Sequence, residues 1–588
     1  MGIRGLTGFI EENFAGWKRT RVTGNLIIDG YSVCHTMYHE QGINSVYGGD
    51  YVTFANHIKE FFRALLSSGV TPYVVFDGID LDEKKKETHL ERRSKDISRV
   101  WKLMHGQSLS ERFLPYFARQ VMVEVVRSID GVCFHIADDD ADSYLAGMAI
   151  ALNGPVLSTD SDFFVFPIPS GYIPYVNLSW RGWRDHPIVA NVYTHTAFIN
   201  QLGLTDPALL TLIPAVMGND TMPALEDFTR RVLMKGKPCD LKLTHLTVSS
   251  AIQFANRFTS HVECTMSVYK STQHSHENPL ANMQEAYDFY YASVHKYSNL
   301  NQKPSLRCKE HCVIPDFVVE RFVEGKIPNL LMDAICLRDV DLRVAAEDLT
   351  SSWCHQIGIP VRKVIYGIIC KKDGELLEYQ RCLGNYKDYK HIKMKVTTQL
   401  EYNNETVQVP RLLDIPAITL LEKKSMLYGV LECSEVMFSQ FSADLHLVLA
   451  ITRFWRLYCD TSLNPTNLIS VLIISLMVDP PKEFTQATDD VLYKHWTVNV
   501  SIMTELTCGH LLQFVHAFAQ WQSLYHDVYC LNQLLLEPVK LFGIYKFFEG
   551  TKMYSCFKEI LDLGVTNVVL QKNLNLEHYT SMYQAVML

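Results

Sequence analysis

The sequence lacks any apolar run long enough to cross a membrane. Its longest uninterrupted apolar stretch, residues 468–478, contains two serines and is far shorter than the roughly 20 residues that a membrane-spanning helix requires. No charged and apolar leader precedes the first predicted strand, which begins near Asn25, so we expect no secretory signal. These absences exclude a membrane partner and predict a soluble protein.

An excess of basic residues is also lacking. The net charge is −9, so any contact with nucleic acid must come from a local basic patch and not from the overall field. The fifteen cysteines show no regular pairing, which favours reduced, intracellular thiols. A possible zinc set does not have the spacing of a common finger, so we expect dispersed core residues there: Cys308, His311, Cys312, Cys354 and His355.

The composition is that of a globular protein, and the chain is long enough for more than one hydrophobic core. It has 588 residues, of which 47% are hydrophobic and 20% charged, and such a length favours about two to four domains. Repeats and low-complexity tracts are absent.

Aspartates recur at the ends of predicted strands in the first 220 residues. Short apolar runs that are typical of buried strands precede Asp29, Asp77 and Asp160. Amphipathic stretches typical of helices, such as 54–66 and 141–152, lie between them. This alternation predicts an α/β fold with a parallel sheet. Seven aspartates of this part of the chain are candidate site residues: Asp29, Asp77, Asp140, Asp142, Asp160, Asp162 and Asp220.

The carboxyl ends of parallel strands form the edge at which ligands bind. Several carboxylates gathered there would repel one another unless a cation neutralised them. Oxygen ligands at this density suit Mg²⁺ or Mn²⁺. The pattern therefore predicts a divalent-metal site.

The alternation of strands and helices ends near residue 235, where we place the first domain boundary. Residues 236–350 are predicted to be a helical connecting region with a polar segment at 260–303, in which 287–294 is aromatic and helix-like. Residues 351–588 form a third, mostly helical region.

Within that third region, runs at 361–370, 376–383 and 392–401 are separated by turn residues and predict a small antiparallel β meander. Helical spacing of apolar residues predicts packed helices at 444–458, 467–477 and 506–535. Their tryptophans, Trp455 and Trp521, are expected in the core, with stacking on unpaired bases as the alternative.

Six short motifs occur in a fixed order along the chain: Met1-Gly2-Ile3-Arg4-Gly5-Leu6, Ile27-Ile28-Asp29-Gly30, Val75-Phe76-Asp77-Gly78, Asp140-Ala141-Asp142, Thr159-Asp160-Ser161-Asp162 and Gly218-Asn219-Asp220. They resemble those of the flap endonuclease/XPG nuclease family over roughly residues 1–230. The resemblance implies a PIN-like, flap-endonuclease-like domain over 1–235, with a mostly parallel sheet. Within that superfamily the chain most resembles the asteroid homologues, whose nuclease-like domain is followed by a long carboxy-terminal region.

The resemblance also implies roles for the aspartates, in a site that holds two ions of Mg²⁺ or Mn²⁺. One metal would be bound by Asp29, Asp77, Asp140 and Asp142. The second would be held or oriented by Asp160, Asp162 and Asp220. Such a site activates water for in-line attack on a phosphodiester. Gly2 is expected to approach the scissile region.

A basic segment follows Asp77, where the family has an arch that contacts phosphates. Lys84 is nearest to the family's catalytic lysine, and Arg92 or Arg93 is nearest to its arginine. The alternative is a solvated helix face on which Glu91 and other acids pair with neighbouring cations. Both interpretations remain open.

Two departures from the family pattern affect the expected substrate. Asp140 stands where the family usually has Glu, which shortens its reach by about 1.5 Å. The residues after Asp220 have no Gly-x-Gly turn, so the family's duplex-gripping helix-turn-helix is missing. We therefore expect a preference for single strands, overhangs or flaps over blunt duplex.

The resulting hypothesis is a metal-dependent, structure-specific DNA endonuclease in DNA repair, with possible repair partners bound through the carboxy-terminal region. A nuclear location is expected from the substrate alone. The alternative is a nuclease-like scaffold with little turnover that binds nucleic acid or protein partners in signalling, and RNA remains open as a substrate. A haloacid-dehalogenase-type phosphatase is excluded because Tyr31 stands where its second aspartate would be.

Overall fold

The computed structural model describes most of the chain. The described residues are 2–40, 42–79, 83–107, 111–219, 222–234, 244–272, 278–296, 306, 308, 314–370, 375–381, 389–403, 405–478 and 510–588. They divide into two compact units, and each is treated separately below. The first consists of Met1–Met37, Ile58–His89 and Val123–Leu306, and the second of Tyr38–His57, Leu90–Met122 and Arg307–Leu588.

The first unit is built on a five-stranded parallel sheet with the order β4-β3-β2-β5-β6. A smaller antiparallel sheet has the order β1-β8-β7. The eight strands are β1 (Lys18–Arg21), β2 (Gly24–Asp29), β3 (Val70–Phe76), β4 (Cys133–Ile136), β5 (Val156–Ser158), β6 (Tyr172–Pro174), β7 (Leu178–Ser179) and β8 (Val189–Val192). The predicted mostly parallel sheet is confirmed.

The strand order contains a reversal that positions the site. From β2 the chain adds β3 and β4 on one side, and it then returns to add β5 and β6 on the other. The adjacent strands β2 and β5 therefore flank a topological switch point, where a crevice opens beyond the strand ends. Both strands are covered on both faces, since Ile27, Ile28, Val156 and Leu157 are fully buried.

Helices surround this sheet. Those within the first unit are Leu6–Asn13, Ala141–Leu152, His195–Leu202, Leu212–Met217, Glu226–Phe228, Thr244–Ala255, His261–Thr272, Pro279–Tyr287 and Ser293–Lys296. Shorter helical turns lie at Ser161–Phe164, Tyr175–Asn177, Pro207–Thr211, Thr229–Leu233 and Asp288–Ala292. Four helices have residues in both units: Gly30–Glu40, Tyr51–Ser67, Glu83–Met104 and Ala118–Arg127. The predicted helices at 54–66 and 141–152 are confirmed.

The core of the first unit continues well past residue 235. Its buried residues include Leu145 and Phe163 near the sheet and Val248, Met283 and Val294 from the later helices. The polar segment at 260–303 thus contains helices that contribute apolar side chains to the same core. The predicted domain boundaries at 235 and 350 remain predictions. The two compact units described above have different boundaries.

Over its described residues, the second unit contains five short strands and a larger share of helices. Its strands are β9 (Asp339–Asp341), β10 (Leu377–Arg381), β11 (Tyr389–Lys393), β12 (Gln399–Tyr402) and β13 (Glu405–Gln408). The pairs β10 with β11 and β12 with β13 are antiparallel, whereas β9 is parallel to β10. Its helices are Asp316–Val323, Asn329–Cys336, Ile359–Ile369, Leu420–Val430, Ala443–Tyr458, Pro465–Val478, His510–Leu534, Gly550–Leu563, Val565–Gln571 and Leu576–Met587.

The predicted strand at 361–370 is wrong, because Ile359–Ile369 is a helix. A short apolar run does not distinguish a buried strand from a buried helix. The helical spacing places Arg362 and Tyr366 on one face, where both contact the buried Glu378. The two later runs of the predicted meander do contain strands.

The predicted carboxy-terminal helices are confirmed over the described residues. His510–Leu534 matches the predicted 506–535, of which 506–509 lie outside the described residues. Trp455 and Trp521 are fully buried, as expected for core residues. In the described part of the chain, no helix is both long and apolar enough to span a membrane.

Candidate metal centre

Four strands of the parallel sheet deliver aspartates to the same edge. Asp29 is the last residue of β2, and Asp77 directly follows β3. Asp140 and Asp160 follow β4 and β5 after short connections. Because the strands are parallel, all four carboxylates lie at their carboxyl ends, on both sides of the switch point.

Asp140 and Asp160 have the same local geometry. The Asp140 side chain accepts a hydrogen bond from the backbone N of Asp142 over 2.8 Å at the start of Ala141–Leu152. The Asp160 side chain accepts one from the backbone N of Asp162 over 3.1 Å at the start of the turn Ser161–Phe164. Each Asp-x-Asp motif therefore places its first carboxylate as an N-cap and its second in the first turn of a helix. Capping is compatible with metal binding, because one oxygen suffices for the cap.

Three carboxylates come close enough to share one ion. Asp142, Asp160 and Asp162 each offer an oxygen, and these oxygens lie within 4.8 Å of one another. Burial raises the pKa of Asp142 well above its ordinary value, and the charges of the neighbouring carboxylates raise it further. Those carboxylates are Asp140, Asp160, Asp162 and Asp29.

Asp29 is nearly buried, with an exposed fraction of 9%. Its Oδ1 accepts a hydrogen bond from the backbone N of Ser32 over 3.0 Å, and its Oδ2 accepts one from the Ser158 hydroxyl over 2.7 Å. Burial raises the pKa of Asp29 to about 7, and the charges of Asp77 and Asp160 act in the same direction. The carboxyl is therefore partly protonated near neutral pH unless a cation replaces the proton.

The donor set fits a divalent ion such as Mg²⁺ or Mn²⁺. All the side chains concerned offer carboxylate oxygens, which hard cations prefer. Asp77 is the exposed member, and its Oδ1 accepts from the backbone N of Ala141 over 3.3 Å. Burial and, second to it, the neighbouring carboxylates raise the pKa values of Asp29 and Asp142, and a bound cation would favour the ionised form of both groups.

The amino-terminal segment packs directly on the carboxylate cluster, which consists of Asp29, Asp77, Asp140, Asp142, Asp160 and Asp162. Gly2 has a φ of +76°, and a Cβ built on it would lie 2.0 Å from Oδ1 of Asp160. The hydroxyl of Ser161 donates to the carbonyl oxygen of Ile3 over 3.2 Å. The predicted approach of Gly2 to the site therefore appears as close packing against Asp160, which leaves no room for a side chain.

The remaining predicted site residues have different placements. Asp220 and the side chain of Lys84 lie outside the described residues, although Lys84 belongs to the helix Glu83–Met104. Arg92 is half-buried on that helix. Their predicted roles remain predictions.

Arg93 belongs to the second unit and is buried there, with an exposed fraction of 5%. Its guanidinium forms an ion pair with Asp341. It also lies 4.6 Å from the ring centroid of Tyr389 and 5.2 Å from that of Tyr379. These contacts explain why the Arg93 side chain is buried. Its predicted contact with phosphate remains a prediction.

Sequence reasoning missed the polar residues that hold the carboxylates in place. Ser158 contacts Asp29, and Tyr290 donates to Oδ1 of Asp162 over 2.7 Å. Ser158 could have been found from its position at the end of a predicted strand, two residues before Asp160. Tyr290 could not, because it is separated from Asp162 by 128 residues.

The fold and site define an α/β protein with a candidate divalent-metal centre at the switch point of a parallel sheet. A family model described as the Asteroid N-terminal domain matches residues 489–588. The human protein named single-strand DNA endonuclease ASTE1 is 26% identical over 593 residues, which cover 95% of this chain and 86% of that protein. The Drosophila melanogaster protein asteroid is 34% identical over 182 residues, which cover 30% of this chain and 21% of that protein. The chain is therefore similar in sequence to proteins named asteroid and ASTE1, and this is the resemblance that its motifs predicted.

Two solved structures are also similar. The catalytic core of Rad2 in complex with DNA substrate has 17% identity and a TM-score of 0.29, and the match covers 55% of this chain and 95% of that one. Human GEN1 in complex with Holliday junction DNA has 15% identity and a TM-score of 0.29, with 69% and 86% covered. Scores this low do not establish a shared fold, so the fold assignment depends on the sheet described above.

Proposed function

We propose that the chain is a divalent-metal-dependent endonuclease that hydrolyses phosphodiesters in DNA and acts on single strands, overhangs and flaps. The observation that carries the proposal is that six aspartates of the described residues lie at one edge of the sheet. Burial and neighbouring carboxylates raise the pKa values of two of them, Asp29 and Asp142. The name of the human relative, single-strand DNA endonuclease ASTE1, supports the same substrate class.

The chemistry needs no side-chain nucleophile. Two bound divalent ions would supply Lewis acidity that activates a water molecule and stabilises the leaving 3′ oxygen. Asp142, Asp160 and Asp162 would hold the ions, together with Asp29 and Asp77. Asp29 would release its proton when an ion binds, because its pKa of about 7 falls once a positive charge is adjacent.

Other members of the predicted site complete the proposal. Asp140 and Asp220 would serve as further ligands, and Lys84 and Arg92 would contact the phosphates. The proposal extends to a role in DNA repair, a nuclear location and repair partners bound by the carboxy-terminal region. Imaging of the tagged chain before and after DNA damage tests the location.

The test is cleavage of labelled DNA by the purified chain in Mg²⁺, in Mn²⁺ and in EDTA. Four substrates are compared: single-stranded, 3′-overhang, 5′-flap and blunt duplex DNA. We expect metal-dependent cleavage of the first three and little cleavage of blunt duplex. Binding without cleavage under every metal condition would favour the nuclease-like scaffold, and a strong preference for blunt duplex would contradict the proposed substrate class.

A further inference from the structure

Tyr290 reaches the carboxylate cluster from the helical part of the first unit. Its hydroxyl donates to Oδ1 of Asp162 over 2.7 Å and accepts from Nδ2 of Asn219 over 3.1 Å. The side chain of Tyr290 is fully buried, and Asp162 is 3% exposed. A short hydrogen bond to a buried carboxylate is among the stronger polar contacts in proteins.

The backbone around Tyr290 departs from a regular helix. Residues Asp288–Ala292 form a π-helical turn between the α-helices Pro279–Tyr287 and Ser293–Lys296. Such turns shift the direction of the side chains that follow, and they are frequent at functional sites. The ring of Tyr290 is fixed by Phe166 and Phe289, whose centroids each lie 4.9 Å away.

Asn219 links the same hydroxyl to a second part of the predicted site. The backbone N of Asn219 donates to the carbonyl oxygen of Met222 over 3.1 Å, and its Oδ1 accepts from the backbone N of Met222 over 2.8 Å. These bonds fix the Asn219 side chain in a turn. Asn219 directly precedes Asp220, the other predicted ligand of the second metal.

We propose that Tyr290 is a positioning residue for the divalent-metal site and acts by fixing the plane of the Asp162 carboxylate. This inference rests on the metal site of the proposed function. A carboxylate held by a buried hydroxyl presents its oxygens to an ion without a loss of rotational freedom on binding. Partners of this kind typically change metal affinity or activity by about 10–100-fold when they are removed.

The test compares Tyr290→Phe with the matched control Tyr291→Phe. Tyr290→Phe removes the hydroxyl and keeps the packed ring. The hydroxyl of Tyr291 contacts Nε2 of His195 over 3.0 Å and the carbonyl oxygen of Pro207 over 2.8 Å. The control therefore removes a hydroxyl from the same helical segment without changing a contact to the carboxylates.

Two quantities are measured on each full-length protein. The first is the affinity for Mn²⁺ without DNA, by titration calorimetry. The second is the Mn²⁺ concentration that gives half-maximal cleavage of the 3′-overhang substrate. For Tyr290→Phe we expect Mn²⁺ binding to weaken on the order of ten-fold and the half-activating concentration to rise with it, while cleavage recovers at saturating Mn²⁺. Tyr291→Phe is expected to leave both quantities unchanged.

Wild-type Mn²⁺ affinity in Tyr290→Phe would overturn the inference. If that variant does not fold, Asn219→Ser decides, because Ser keeps an oxygen that can accept from the backbone N of Met222 and removes the amide that donates to the Tyr290 hydroxyl. Weaker Mn²⁺ binding in Asn219→Ser supports the inference, and unchanged binding overturns it. A wild-type protein that binds no Mn²⁺ overturns the inference together with the metal site. A wild-type protein that binds Mn²⁺ but cuts no DNA removes only the proposed nuclease activity.

Discussion

The hydroxyl of Ser158 donates a hydrogen bond to Oδ2 of Asp29 over 2.7 Å and so joins the ends of β5 and β2 across the switch point. The same oxygen of Ser158 accepts from the backbone N of Asp160 over 3.1 Å. Ser158 is fully buried, so water cannot replace either contact. One hydroxyl thus organises carboxylates from two strands.

Replacing Ser158 with Ala should weaken both the fold and the site. The change removes one hydrogen bond from the buried Asp29 carboxylate and one from the backbone N–H of Asp160, which costs about 1–3 kcal/mol of unfolding free energy. It also removes a bond that lowers the pKa of Asp29, so Mn²⁺ should bind more weakly near neutral pH. Chemical denaturation and titration calorimetry measure the two effects.

Ser170→Ala is the control for Ser158→Ala, because the Ser170 hydroxyl makes an exposed bond to Asn153. Its unfolding free energy should stay within about 0.5 kcal/mol of wild type. Equal unfolding free energies of the two variants would show that the buried Ser158 hydroxyl does not stabilise the fold.

The metal-free protein should lose stability as the pH rises through neutrality. The pKa of Asp29 is raised to about 7, so the folded protein binds this proton more tightly than the unfolded chain does. The contribution to stability is therefore complete below the unfolded pKa of roughly 4 and is lost as the pH rises through about 7. Its upper bound is about 4 kcal/mol, from a shift of roughly three units.

Denaturation between about pH 5 and pH 8, with and without Mn²⁺, measures this effect. Asp29→Asn should reduce the pH dependence of the metal-free protein without abolishing it, because burial also raises the pKa of Asp527 to about 7 and that of Glu549 to about 8. The stabilisation by Mn²⁺ should be larger at the upper end of the range, since the ion no longer competes with a proton. A wild-type protein with the same pH slope as Asp29→Asn would rule out the assignment.

Gly2→Ala should disrupt the site more than the fold. The added Cβ would lie 2.0 Å from Oδ1 of Asp160, so the carboxylate must move. A displacement of about 1 Å at a catalytic group can lower the rate on the order of 100-fold. Cleavage of the 3′-overhang substrate under single-turnover conditions measures it.

The matched control for Gly2→Ala is Gly69→Ala. Gly69 has nearly the same backbone conformation, with a φ of +77°, and no heavy atom lies within 4 Å of the added Cβ. It should lose about 1–2 kcal/mol of stability through backbone strain alone and keep its cleavage rate. A similar rate in the two variants would contradict the role of close packing at Gly2.

Replacing Arg362 should strongly destabilise the second unit. Its guanidinium bonds to Glu378 over 2.8 Å and to Asp527 over 2.6 Å, and all three side chains are fully buried. Arg362→Ala removes the positive charge that pairs with two buried carboxylates, which should lower the unfolding free energy by about 3–5 kcal/mol. Urea denaturation measures the change.

The control for Arg362→Ala is Arg411→Ala, because Arg411 forms an exposed ion pair with Asp414 over 2.7 Å. Exposed pairs contribute little, so this variant should unfold almost as wild type does. Comparable losses in the two variants would contradict the importance of burial.

The strands and their terminal aspartates could be predicted because their signals are local. Asp29 and Asp77 directly follow short apolar runs and Asp160 closely trails one, and the order of the motifs carries the family resemblance. The predicted strand at 361–370 is wrong because a buried helix and a buried strand share this composition. The contacts of Arg362 with Glu378 and Asp527 are tertiary, so no local pattern could distinguish the two structures.

The contacts that orient the carboxylates were not predictable. Tyr290 reaches Asp162 only because the helices beyond residue 244 share a core with the sheet, and no local pattern encodes that packing. The sequence also does not distinguish an aspartate that caps a helix from one that binds a metal. Asp140 and Asp160 illustrate the reason. Both cap a helical turn and belong to the carboxylate cluster.

The central claim is that this carboxylate cluster holds the ions that cleave DNA. Its most direct test is single-turnover cleavage of a labelled 3′-overhang substrate over a series of Mn²⁺ concentrations, by wild type, Asp160→Asn and Asp206→Asn. Asp206 caps the turn Pro207–Thr211 as Asp160 caps its own, and Asn preserves an N-cap, so Asp206→Asn controls for capping. We predict Mn²⁺-dependent cleavage by wild type and Asp206→Asn and its loss in Asp160→Asn. Cleavage by Asp160→Asn at the wild-type rate would contradict the claim.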